Sequence, residues 1–136
     1  MFERGVLIVS ALIWLPYGLY CFAQPSMLGD AAGLVATTPT ATTEIRAMYG
    51  GLQAAMGGLA LAAVFRERLI PGVLLTLVFL TGGLAATRVA GLIMDGSMSE
   101  YTVGGLAFEL LSCGFALFAL GRTGRQMEGV PDSGAV

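Results

Sequence analysis

The chain is 136 residues long, 56% hydrophobic and 12% charged, with a formal net charge of −2 and a mean hydropathy of +0.80. A soluble domain carries about a quarter charged residues, so this length holds one domain whose solvent is lipid, and the acidic balance excludes a nucleic-acid footprint. Lysine and histidine are both absent, which removes the commonest metal ligand and the usual neutral-pH general base; neither a metal nor a cofactor is expected.

Four hydrophobic stretches approach the ~20 residues that a bilayer core requires. The first, GVLIVSALIWLPYGLYCFAQ (5–24), follows Arg4 in the charge order of a signal peptide. Its apolar run exceeds the ~7–15 residues of an h-region, and Trp14, Tyr17 and Tyr20 suit an anchored helix, so it is expected to stay. Pro16 inside it predicts a kink. The loop PSMLGDAAGLVATTPTATT (25–43) is rich in Thr, Ala and Gly, with a short interfacial helix near Ser26 as its one candidate element. Thr42 or Thr43 would cap the second span (44–65), and Glu44 suits the positive end of its dipole. RERLIPG makes a tight connection and places Pro71 at the start of the third span (71–94), where a missing N–H costs little. Asp95 and Gly96 form a turn before the fourth span (101–121). Residues 122–136 lack apolar periodicity and read as a mobile tail. The expected fold is therefore all-α, an antiparallel bundle of four transmembrane helices.

Arg4, Arg66, Arg68, Arg122 and Arg125 fall on one side if the spans alternate, whereas segments 25–43 and 95–100 contain no arginine. By the positive-inside rule both termini are cytoplasmic. Arg46 and Arg88 belong to the spans themselves. Counted inward at ~1.5 Å per residue, Tyr17, Gln53, Arg88 and Glu109 all lie ~9–14 Å below the arginine-free side, so four helices each offer a polar group at one level. Helical phase adds Arg46 and Tyr49 to the face of Gln53, and Asp95 to that of Arg88. An isolated charge deep in a bilayer costs at least ~2.5–3.5 kcal/mol, so Arg88 is expected to pair with Glu109, with Glu44 and Asp95 beside Arg46 nearer the mouth. The candidate polar layer is thus Tyr17, Glu44, Arg46, Tyr49, Gln53, Arg88, Asp95 and Glu109. Two readings of it stand: a ligand pocket, or a structural ion pair that fixes helix register.

Gly50, Ala54, Gly58 and Ala62 repeat every fourth position of the second span, a stripe that lets backbones approach closely. Its neighbour is either another helix of the chain, a second copy, or a larger membrane complex. Cys21 and Cys113 differ in depth by ~13 Å, against the ~7 Å limit between the Cα atoms of a disulfide, and both read as inert.

At EIRAMYGG (44–51) and TRVAGLIMDG (87–96), followed by Glu109, the chain resembles the domain of unknown function 4345 family of small bacterial membrane proteins. The likeness covers about 44–120; the first span matches in character alone. It implies four transmembrane helices in a bacterial inner membrane and no established activity. The favoured function is a non-enzymatic accessory or lipid-binding bundle, since a polar pocket with apolar walls suits an amphipath. One alternative is an enzyme using Glu109 and Asp95 as acid and base on a sterol or isoprenoid, weakened because an adjacent arginine lowers a carboxyl pKa. The other is a subunit of an oligomeric transporter with the charged layer as a relay; four spans without an inverted repeat argue against a monomeric carrier.

Overall fold

A computed structural model describes residues 1–96 and 98–128, with side chains to Thr123. Among these residues the fold is all-helical. Helix α1 (Phe2–Ala23) leads to a short α2 (Met27–Ala32) and then to α3 (Pro39–Ile45), which passes through a π-helical turn (Arg46–Gly51) into α4 (Leu52–Phe65). A 3₁₀ turn (Glu67–Leu69) precedes α5 (Ile70–Asp95), and α6 (Glu100–Glu128) closes the chain. Four stretches are long and apolar enough to cross a membrane: Phe2–Ala23, Pro39–Phe65, Glu67–Asp95 and Glu100–Thr123.

The four expected spans are present, with boundaries moved by local chemistry. Span two starts five residues early because Thr38, not Thr42 or Thr43, is its cap: the Thr38 hydroxyl accepts from the Ala41 N–H at 3.1 Å, with Pro39 in the first turn. Thr42 and Thr43 instead donate back to the carbonyls of Thr38 and Pro39. The short helix near Ser26 forms, and Gly33, at φ 71°, ends it in the left-handed conformation that suits glycine. Gly96, at φ 65°, ends α5 in the same way. Helix α6 continues beyond residue 121, where the tail was expected to begin, through Glu128. Arg122 reaches Glu3 at 3.4 Å and stacks over Phe2 and Phe118, and the Thr123 hydroxyl bonds the Ala119 carbonyl. These contacts give the extra turn a partner on α1. The remainder of the expected tail, 129–136, lies outside the described residues. Pro16 sits inside α1 without ending it.

The helices associate as two pairs, α1 with α4 and α5 with α6. Glycine explains the first. A Cβ on Gly18 would run into the backbone nitrogen of Ala54 and sit 2.7 Å from the Gly50 carbonyl oxygen; one on Gly57 would strike the Leu15 backbone. Without side chains there, the two backbones touch, the arrangement that small residues permit in lipid. The neighbour of Gly50 and Ala54 is therefore α1 of the same chain, whereas Gly58 faces open space.

The two pairs pack most closely at one end, while at the other α2 rests on α6 with Leu28 fully buried. Leu7, Ala11, Met56, Ala60, Ala63, Val73, Leu74, Leu77, Ala116 and Ala119 form a buried cluster at the close-packed end. The ion pairs Arg4 with Glu67 and Arg122 with Glu3 lie at the same end, as does the loop carrying Arg66 and Arg68. Toward the arginine-free end the pairs separate.

Filling the α1–α4 glycine contacts should be costly while the neighbouring glycine tolerates change. Gly57→Leu or Gly18→Leu is expected to destabilise by ~1–3 kcal/mol or more, as overpacking does. Gly58→Ala should be near neutral. Thermal unfolding in detergent micelles, followed by circular dichroism, reads the difference.

A cleft between the helix pairs

Where the pairs part, a cleft of about 650 Å³ opens, with Tyr17 from α1, Tyr49 and Gln53 from the second span, Arg88 from α5, and Tyr101 and Glu109 from α6 on its walls. The remaining lining is mainly apolar, including Ile13, Trp14, Leu52, Leu84 and Phe108. Trp14 packs on Phe108 with ring centroids 5.8 Å apart, forming the floor toward the buried cluster.

The guanidinium of Arg88 donates to Glu109 from Nε, at 3.1 and 3.0 Å to the two carboxylate oxygens, and from Nη2 at 2.6 Å to Oε1. Such charge-assisted, forked contacts are the strong ones. Glu109 is only 4% exposed, so its charge depends on this partner. Room for the guanidinium comes from Gly105, one turn before Glu109: a Cβ there would lie 2.9 Å from Arg88 Cζ. Tyr101, one turn earlier again, carries its ring 5.9 Å from the same carbon and its hydroxyl 3.2 Å from that of Tyr17. This hydroxyl pair ties α1 to α6 across the cleft.

Five of the eight residues expected in the polar layer line this cleft: Tyr17, Tyr49, Gln53, Arg88 and Glu109. The other three do not, and the expected grouping of Glu44 and Asp95 beside Arg46 is absent: among the described residues no ion pair joins either carboxylate to an arginine. Glu44 is exposed. Asp95 is exposed at the end of α5, its carboxylate leaning back over Gly91. Arg46 stacks on the Phe22 ring at 5.8 Å, with its buried Nε lacking a hydrogen-bond partner.

The π turn accounts for Arg46. In it the Leu52 N–H donates to the Ala47 carbonyl, five residues back, so the 3.6-residue period that would align Arg46 with Tyr49 and Gln53 fails across the turn. Arg46 then follows Gly50 toward Phe22 of α1, which the absent Gly50 side chain admits. Tyr101 was not singled out from the sequence, although its spacing of four and eight residues from Gly105 and Glu109 places all three on one helical face.

Replacing Glu109 by Met should leave Arg88 charged and unpaired, with a loss of ~3 kcal/mol, the lower part of the range for a broken buried pair. The cleft gives the guanidinium some access to water, its side chain being 25% exposed, which favours the lower value. Arg88→Met combined with Glu109→Met should recover most of the stability. Denaturation midpoints of the wild type, both singles and the double form a cycle that isolates the pair.

Searches of curated proteins and of solved structures return no match to this chain. A protein-family profile described as domain of unknown function DUF4345 matches residues 2–120, so the likeness extends through the first span as well as the segment 44–120. With that match over most of its length, the chain belongs to the DUF4345 family.

Proposed function

We propose that this protein is a non-enzymatic accessory protein of a bacterial inner membrane that holds a lipid or other amphipath in the cleft between its helix pairs. The observation that carries the reading is the composition of the walls: polar groups converging from all four spans on a cavity otherwise lined by hydrophobic and aromatic side chains, the pattern of small-molecule sites. A purely structural ion pair needs no cavity beside it. The arginines gathered at one end favour a cytoplasmic position for that end, with the cleft in the opposite leaflet.

The enzymatic alternative draws less support. Its two carboxylates do not share the cleft: Asp95 is outside the lining, and both oxygens of Glu109 accept from Arg88. A relay through the charged layer also lacks a continuation, because Glu44, Arg46 and Asp95 stand apart from Arg88.

Gly104 lines the cleft, and a Cβ there meets nothing within 4 Å, so Gly104→Trp should fill the space without disturbing the backbone. Purified in a mild detergent, the wild type should carry a bound lipid detectable by native mass spectrometry. Gly104→Trp should lose it while keeping its helicity. Equal lipid occupancy in the two proteins would refute the cleft as the binding site.

A further inference from the structure

A second cavity of about 340 Å³ lies along the seam between α1 and α6, toward the arginine-rich end, bordered by Gly5, Val6, Val9, Ser112 and Phe115. It shares Ile13, Trp14 and Phe108 with the first cleft. The two therefore adjoin across the Trp14–Phe108 contact, with the exposed Ile13 bordering both, and polar groups gather in the first with almost none in the second. The Ser10 hydroxyl on its wall is already committed to the Val6 carbonyl at 2.8 Å. Along α1, the distance from Tyr17 to Gly5 is ~18 Å at the helical rise, a length suited to one extended long-chain tail.

The polar end has its own selectivity. Arg88 is neutralised by Glu109, and a competing anion would have to displace a carboxylate that is itself buried. Glu100 at the mouth adds a second negative charge. What remains for a ligand is hydrogen-bonding capacity without surplus positive charge: the hydroxyls of Tyr17, Tyr49 and Tyr101, the amide of Gln53, and the Nη1 N–H groups of Arg88, which Glu109 does not take. An anionic head carried to this depth would lose its hydration beside two carboxylates and one guanidinium, with no surplus cation to receive it.

Building on the amphipath-binding reading, we infer that the ligand is a single-tailed amphipath with an uncharged hydroxyl or carbonyl head. Its head sits among the tyrosines beside Arg88, and its tail runs down the α1–α6 seam past Trp14 and Phe108 to Gly5. An ionised fatty acid does not fit the charge balance, and a two-tailed phospholipid does not fit the single tail path.

The test uses hexadecanol analogues carrying a diazirine either near the hydroxyl or near the methyl end, photolysed with the full chain in lipid nanodiscs, and peptide mapping of the adducts. Head-end label should fall on residues 84–109, and methyl-end label on residues 2–10 and 112–115. Gly5→Trp should deplete the methyl-end adducts and leave the head-end ones; Val9→Phe is a second, milder plug on the same wall. Unlabelled hexadecanol should displace the probe at a mole fraction at least roughly tenfold below that of hexadecyl phosphate, reflecting the cost of burying an uncompensated charge. Methyl-end label spread equally over the exposed Phe79 and Ile93 would overturn the tail path. Equal displacement by hexadecyl phosphate would overturn the neutral head. Either result with head-end label still in the cleft leaves the amphipath-binding reading standing; loss of head-end label from the cleft defeats both.

Discussion

The forked contact between Arg88 and Glu109 sets the geometry of the upper half of this molecule. A guanidinium this deep in an apolar helix is costly without a counter-charge, and the forked contact with a carboxylate at the same height fixes the rotation of both α5 and α6. Once they are so turned, Gly105 must lie under the guanidinium and Tyr101 beside it. The ring of Tyr101 then carries its hydroxyl to Tyr17 on the opposite pair. A single charge compensation therefore propagates through one helix face to a contact that crosses the cleft.

The other half is governed by the lack of side chains. Gly18, Gly50 and Gly57 let α1 and α4 touch backbone to backbone, and small alanines at 60, 63, 116 and 119 close the cluster beneath. In lipid the burial of apolar surface offers little drive for helix association, so close packing must supply it. Where the contacts between the pairs change from alanine to Trp14, Tyr17, Tyr49 and Phe108, close approach is no longer possible. The cleft begins there. Its position follows from side-chain size as directly as its polarity follows from charge.

Much of this was legible in the sequence, because the governing signals are one-dimensional. Hydropathy and length gave four spans, and counting residues inward from each span end put Tyr17, Gln53, Arg88 and Glu109 at one level. Failures arose where that counting assumes an unbroken α-helix. The π turn shifts Arg46 away from Gln53 by a backbone insertion that RAMYGG does not advertise. Thr38, followed by Pro39, takes the cap in place of Thr42 and Thr43 because the helix runs on past the apolar stretch, which hydropathy alone does not mark. Asp95 shares a helical phase with Arg88, yet lies at the last residue of α5, where its carboxylate turns out of the bundle. Tyr101 was missed because an aromatic at a span boundary reads as an interfacial anchor unless its neighbours on the same face are considered together. The glycine stripe was visible too, but its partner is set by the fold: Gly50 and Ala54 meet α1, and Gly57, one residue off the repeat, joins them.

The pairing of the helices bears on how the molecule responds to load. Each pair is held internally, one by backbone contact and the other by an ion pair, while the two are joined by the alanine-rich cluster at the arginine-rich end and, at the other, by the tyrosine hydroxyls and by α2 resting on α6. A load that spreads the gap therefore falls on these two small fastenings, one polar and one apolar, rather than on the extensive contacts within each pair.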